Sequence, residues 1–320
     1  FVELDVIASL LHLDLIVADI GLIGADISIE KLADNEWMVQ GIKFTSEGSS
    51  ELPEPFLYML QNSNYLLHDS NIYYQDHTRE KLNISLLDIN MDVRNNFNNH
   101  KIKFSMNLPE AFGRSLAIVA DLQGELDSLD GEVYIEAQQV QVKQWIKKFN
   151  LMQQYSVDTV LDVNLWGTVE DNEIESLIVQ LVSRDLSISN NETTKNWQTP
   201  YLSTNFRYVK NDKHWNVALS DFYFGTESLA AWGRPVTILA SNDDENYYLS
   251  ADFLRLTDLH KIADVVLTQE LKQQVKDISE KIRNYQLKAD VYNLSLLVPK
   301  DMSHDDLLEQ LTLEASVSDF

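Results

Sequence analysis

Residues 101–140, KIKFSMNLPEAFGRSLAIVADLQGELDSLDGEVYIEAQQV, alternate apolar and polar positions through three consecutive runs. Ile102, Phe104, Met106 and Leu108 form one stripe; Leu116, Ile118, Ala120 and Leu122 form the next; Val133, Ile135 and Ala137 form the third. Strict alternation is the pattern of a strand with one dry face and one wet face. Lys101, Lys103, Asp121, Glu132 and Glu136 occupy the opposite parity. Pro109 and Gly113 supply turn chemistry in the first gap, and Asp127-Ser128 and Asp130-Gly131 in the second. The pattern predicts an antiparallel meander with one apolar face. Its candidate lining residues are Ile102, Phe104, Met106, Leu116, Ile118, Leu122, Val133 and Ile135.

The same texture runs along most of the chain. Alternating runs stand at ELDVIASLLHLDLIVADI, GADISIEKL and EWMVQGIKF, the last two separated by Asp34-Asn35, and again at NIYYQD and KLNISLLDINMDVR. The last run switches parity between Leu86 and Ile89, which predicts a bulge near Leu87 or Asp88. Further strands are expected at SVDTVLDVNLWGTV, EIESLIVQLVSRDLSIS, YLSTNFRYVK, KHWNVALSDFYFG, PVTILAS, NYYLSADFLRL, YQLKADVYNLSLLV and LLEQLTLEASVSDF. Helices are expected around Leu57 and Met59, over QVKQWIKKFNLMQQY with Trp145, Phe149 and Met152 on one face, and over residues 258–285 with a break near Thr268. In that last stretch Leu271, Val275, Ile278, Ile282 and Tyr285 make a single stripe, expected to pack on the chain's own sheet. The count is roughly seventeen strands, more than one sandwich holds. Placed side by side they would span on the order of 80 Å. No composition shift or linker marks a boundary, so residues 1–320 read as one continuous piece.

Composition narrows the function. The 320 residues carry 50 acidic against 25 basic side chains, a formal net charge of −25. That field repels phosphate backbones and argues against nucleic acid as a partner. No cysteine is present, which removes thiolate metal sites, thiol nucleophiles and disulfides. No run reaches the roughly 18 apolar residues that a membrane-spanning helix needs. The seven histidines lack HExxH or HxH spacing, the cluster NDDEN at 242–246 lacks the Gly and terminal Glu of a calcium loop, and no nucleophile elbow or phosphate loop is found. NDDEN reads as a solvated hairpin turn. Trp37, Trp166, Trp215 and Trp232 read as packing residues of strands rather than a sugar-stacking set. No catalytic residue, metal site or cofactor is expected.

The order of the runs resembles a known group. LHLDLIVADIGLIGADISIEKLADNEWMVQGIKF is similar to the opening of AsmA-like envelope proteins, whose turn carries a Gly-x-Trp pattern closed by a second Gly; here Asn35 stands at the first Gly, followed by Trp37 and Gly41. The stretch from NYLLHDSNIYYQD through KLNISLLDINMDVRNNFNNHKIKFSMNLPEAFGRSLAIVADLQGELDSLDGEVYIEAQQVQVKQWI resembles the YhdP branch of that group. So do DTVLDVNLWGTVEDNEIESL, NDKHWNVALSDFYFG and YYLSADFLRLTDLHKIADVVL. The pattern departs at Arg283-Asn284, where such chains often carry Pro-x-Gly; Asn tolerates the left-handed backbone that the turn needs.

The resemblance implies a mainly β fold: an elongated, bent antiparallel sheet forming an apolar groove, with few helices. It implies a non-enzymatic segment of a periplasmic conduit, anchored in the inner membrane of a Gram-negative bacterium, that moves phospholipid between inner and outer membranes. Phospholipid acyl chains are then the expected partners of the apolar face, with outer-membrane or other envelope proteins as further candidates. The chain starts at Phe1 and reads as an excised piece whose anchor lies outside it. A rival reading is an envelope scaffold or chaperone-like translocation-assembly protein that receives β-strands by augmentation. A third is an enzyme on a β-sandwich.

Overall fold

A computed structural model of the chain describes residues 2–4, 17–45, 63–78, 82–96, 98–125, 128–152, 154–192, 194–211, 213–266, 289–300 and 311–318. They form two compact units, Phe1–Val140 with Asn164–Ile174, and Gln141–Val163 with Glu175–Phe320. The fold is mainly β, and among the described residues two short helices interrupt nineteen strands.

In the first unit β1 (Val2–Leu4), β2 (Val17–Ile23), β3 (Asp26–Ala33), β4 (Glu36–Val39) and β5 (Ile42–Thr45) precede four long strands. These are β6 (Asn64–Asp76), β7 (Leu82–Asn96), β8 (Asn99–Asn107) and β9 (Ser115–Glu125), and β10 (Ser128–Gln141) follows. β6 to β10 pair in sequence order, each antiparallel to the next. The Asp34-Asn35 turn joins β3 to β4 as the sequence predicts. One pairing breaks the antiparallel rule: β2 and β3 both run parallel to β6, Ile20 opposite Tyr65 and Ile27 opposite Ile72. They act as one strand bent at Gly24, whose amide reaches the His68 carbonyl at 2.9 Å.

The bend continues into the neighbouring strands. Asp69 in β6 and Asp88 in β7 both have left-handed backbone (φ 47° and 52°), and the register shifts beside each. The bulge therefore lies where the parity switch of Leu86 and Ile89 places it. Asx side chains tie this line together: Asn107 donates to the Asp88 carboxylate (3.0 Å), Asn71 to Asp26 (2.8 Å), and the Asp69 amide to Asn90 (3.2 Å).

One turn is misplaced in the sequence reading. Asp130-Gly131 lies inside β10, opposite Gln123 and Leu122. Gly131 has φ 144°, and a Cβ there would stand 2.1 Å from the Asp121 carbonyl oxygen. The glycine is demanded by close strand approach, not by a turn.

The second unit opens with α1 (Val142–Phe149) and β11 (Tyr155–Glu170), the latter contributing to both units. It continues with β12 (Glu173–Asn190), β13 (Asn196–Asn211), β14 (His214–Thr226), β15 (Leu229–Ala230), β16 (Val236–Asn242), β17 (Asn246–Arg255), α2 (Leu256–Val266), β18 (Asp290–Pro299) and β19 (Thr312–Ser318). Here α1 is shorter than its periodicity suggests. Asn150 adopts left-handed backbone and its amide caps the Ile146 carbonyl, so Met152 falls beyond the helix and is exposed. Trp145 and Phe149 still share a face, stacked with centroids 5.5 Å apart. The helix expected around Leu57 and the stripe from Leu271 to Tyr285 lie outside the described residues.

The core of this unit gathers Phe224, Trp232, Val236, Ala251, Phe253, Leu254 and Val291. Trp232 is therefore a packing residue as expected, but it packs from the turn between β15 and β16 and not from a strand. Its ring meets Phe224 and Phe253 edge-on at 5.1 and 5.7 Å, and its Nε1 donates to Asp258 of α2 at 3.0 Å. Buried Asn190 donates to the Val265 carbonyl at 3.1 Å, fixing the far end of the helix.

Candidate functional site

The eight residues singled out by alternation sit on three neighbouring strands of the first unit. Register decides whether they share a face, because a slip of one residue would turn a whole strand over. Ile102 stands opposite Ala120, Phe104 opposite Ile118, and Met106 opposite Leu116. On the other edge of β9, Val133 stands opposite Ala120, Ile135 opposite Ile118, and Gly131 opposite Leu122. All eight project from one face. Met106 is buried at 6 % exposure, and the other seven are half-buried.

The rows extend further than the three runs. Val93 pairs with Ile102 and Tyr65 with Val93, giving Ile20–Tyr65–Val93–Ile102–Ala120–Val133 across six strands. The next row reads Leu22–Leu67–Met91–Phe104–Ile118–Ile135. Sequence reasoning missed Leu67, Met91 and Val93 as members. Their signal was present in the parity of β7 after Asp88, but its direction relative to β8 was not.

Burial deepens toward one long edge of these rows. Ile89 and Ser70 are fully buried beside the bulge, and Met106 and Leu108 are buried at the same level. Ser70 is satisfied there, accepting from the Ala25 amide at 3.0 Å and donating to the His68 carbonyl at 2.8 Å. The opposite end carries a polar stop. His100, buried, sets Nδ1 2.8 Å from Asn95 Oδ1 and Nε2 3.1 Å from the Gly124 carbonyl oxygen.

The reverse face is ionic and wet. Lys101 pairs with Asp121 at 2.8 Å, both exposed, and Arg94 forks onto Asp92 at 3.1 Å through Nε and Nη2. Such exposed pairs add little stability but keep that face in water. A cleft of about 400 Å³ crosses β6 to β9 here. Its lining takes Met91, Phe104 and Ile118 of the apolar rows together with Asp92, Lys103 and Val119 of the reverse face. Both parities in one lining mark a crease in the sheet, not a chamber enclosed by the apolar wall.

The second unit repeats the arrangement. Val179–Phe206–Leu219–Ile238–Ala251–Leu294 forms one row, and Leu177–Tyr208–Val217–Ala240–Leu249–Leu296 the row beside it. Asp185, Asp221 and Asn293 again carry left-handed backbone, and the register shifts beside Asp221 and Asn293. NDDEN forms the turn between β16 and β17, with Asp243 Oδ1 accepting the amides of Glu245 and Asn246 at 2.8 and 2.7 Å.

Among the described residues no cluster of His, Asp and Glu is arranged to hold a metal ion, and no helix is long and apolar enough to cross a membrane. Among the described residues two broad apolar faces stand out, the first backed by an ionic face and the second by a mixed one, Ile178–Arg207–Ala218–Leu239–Ser250–Ser295, with Ile178 and Leu239 exposed. No curated protein and no solved structure matches the chain. A sequence model of the family described as YhdP protein matches residues 1–318.

Proposed function

Because this chain belongs to the YhdP family, we propose that it is a non-enzymatic segment of an inner-membrane-anchored periplasmic conduit, whose apolar faces carry phospholipid acyl chains between the membranes of a Gram-negative envelope. The observation that carries this reading is the pair of unbroken rows from Ile20 and Leu22 to Val133 and Ile135. Six strands contribute to them, and most members remain half-buried rather than closed off. Soluble monomers rarely expose contiguous apolar faces of more than a few hundred Å², and larger ones mark sites of interaction. Each methylene of an acyl chain laid on such a face contributes about 0.8 kcal/mol. Affinity then needs no specific polar contact, which suits a path along which lipid must slide.

The test contrasts the two faces. Ile118→Asp sets a carboxylate among Phe104, Ile135 and Ala120, where its desolvation costs several kcal/mol or draws in water. Lys103→Asp changes charge on the exposed reverse face. Co-purified phospholipid, quantified by mass spectrometry on folded protein, should be lost from the first variant and kept by the second. Equal retention by both would sink the reading.

One observation favours capture of β-strands instead: among the described residues β19 pairs with β18 alone, and all seven of its residues are exposed, Leu313 at 59 %. Binding of outer-membrane strand peptides there, with no lipid retained, would replace the conduit.

A further inference from the structure

The cleft on the reverse face of the first unit has a lining that sorts into three rows. Leu66, Asp92, Lys103 and Val119 stand opposite one another across β6 to β9 and form one bank. Asn90, Ser105 and Ala117 form the other, with His68 at its end. Leu67, Met91, Phe104 and Ile118 run between the banks and belong by parity to the apolar face, so their backbone is the floor. The cleft of about 400 Å³ is therefore a furrow cut across the strands on the wet side of the sheet, of a size that small-molecule sites commonly have. With neighbouring strands about 4.8 Å apart, it runs on the order of 14 Å from β6 to β9.

Both banks continue beyond β9. Tyr134 stands opposite Val119, and Glu136 opposite Ala117. Trp166 of β11, in the same unit, lies against Tyr134 with ring centroids 5.2 Å apart. It departs from the packing role expected of it, for 40 % of its surface is exposed. The Tyr134 hydroxyl lies 3.1 Å from Glu136 Oε2 and 3.4 Å from Asn164 Oδ1, and Gln138 donates to the other Glu136 oxygen.

The charges here disfavour an anion. Asp92 accepts from Arg94 and stands opposite Lys103, and Glu136 flanks the far end. A peptide is poorly served, because β7, β8 and β9 are paired along both edges and strand addition needs an open one. Amide, hydroxyl and carboxylate groups beside a partly exposed aromatic pair suit a sugar instead. Each carboxylate has about four acceptor positions and each amide both donates and accepts, so groups already bonded to neighbours keep capacity for a hydroxyl. The C–H face of a pyranose ring stacks on the negative π-face of an indole. We propose that this furrow binds an uncharged, extended oligosaccharide, a β-1,4-linked hexopyranose chain, with one ring stacked on Trp166 and the rest running over Ala117 and Ser105 toward His68. The straight course across the strands selects the extended linkage over a coiled one. The site lies on the face opposite the acyl-chain rows and does not depend on that reading.

Calorimetry with cellohexaose as the probe, and maltohexaose as its coiled isomer, tests this on the 320-residue chain. Cellohexaose should bind, and maltohexaose on the order of tenfold more weakly. Trp166→Ala should cut cellohexaose affinity on the order of tenfold, and Trp166→Phe should recover most of it. Ser105→Tyr, at an exposed position, sets a ring across the furrow and should abolish binding, with circular dichroism establishing that each variant folds. Both variants should retain phospholipid as wild type does, so that loss of this site and loss of the conduit are told apart. Absence of cellohexaose binding to wild type, or affinity unmoved by Trp166→Ala and Ser105→Tyr, overturns the furrow as a glycan site. Equal affinity for the two hexamers overturns its selection of an extended chain.

Discussion

At the residue scale, the sheets are shaped by a few backbone positions that an ordinary side chain occupies at a cost. Gly131 is one. Alanine there must hold φ 144° and bring Cβ to 2.1 Å from a carbonyl oxygen, so the backbone strain alone should cost about 1–3 kcal/mol before the clash is added. Gly131→Ala should lower the melting temperature sharply, whereas Gly41→Ala, with open space around it, should lower it less. The left-handed Asp and Asn positions behave in the opposite sense. At Asp221 (φ 52°) a glycine relieves strain and a valine adds it, with the left-handed conformation worth about 1–2 kcal/mol. Asp221→Gly should therefore hold or raise the urea midpoint, and Asp221→Val should reduce it. Asp88 was legible in the sequence because the apolar parity breaks around it. Gly131 was not, because Asp-Gly carries the same signal in a turn as in a strand crowded by its neighbour. Gln139, also left-handed (φ 52°), carries no sequence signal at all.

Elements are held by specific ties at their ends. Arg255 closes β17 by donating Nε and Nη2 to the two oxygens of Asp290, at 2.8 and 2.9 Å, and Nη1 to the Ala231 carbonyl at 3.1 Å. The guanidinium's hydrogen bonds hold the buried Asp290 carboxyl below the usual carboxylate range. A depressed folded pKa means that the contribution is fully present above the unfolded value of about 3.9 and is lost as pH falls through the folded value. Asp290→Asn should therefore destabilise most near neutrality, and the gap to wild type should narrow below about pH 3.9. Urea midpoints measured for both proteins down the acid limb would check this; a gap independent of pH would remove the ion pair from the account. Strands were the most readable elements, because alternation over ten or more residues leaves few alternatives. The end of α1 was not, since Leu151 and Met152 continue the apolar pattern after Asn150 has already turned the chain.

On the scale of the whole molecule, 50 carboxylates against 25 cations keep the wet faces of both units mutually repulsive toward other copies, while the apolar faces stay chemically uniform. The wall was legible from its sequence to the extent that three neighbouring strands share parity. Its extension to β2 and β6 was not, because a parallel pairing between distant segments leaves no periodic mark. Direction and partner are decided by packing, and Gly24-Ala25 reads equally well as a hairpin turn or as the bend within one strand.

That parallel pairing sets an order of events. From β6 to β10, and again from β12 to β14, each strand meets the strand beside it in the chain. β3 instead meets β6 across 45 residues, Ala25 and Ser70 being joined at that separation. Closing so long a loop costs roughly 2–3 kcal/mol more than closing a two-residue turn, and non-local contacts of this kind form late. Pulse-labelled hydrogen exchange during refolding should protect the amides of β13 and β14 before those that join Ile27 to Ile72. Until that step β6 presents an open edge to any strand within reach. Refolding at high protein concentration should consequently lose material to strand exchange through β6, and simultaneous protection of the two pairings would remove that hazard.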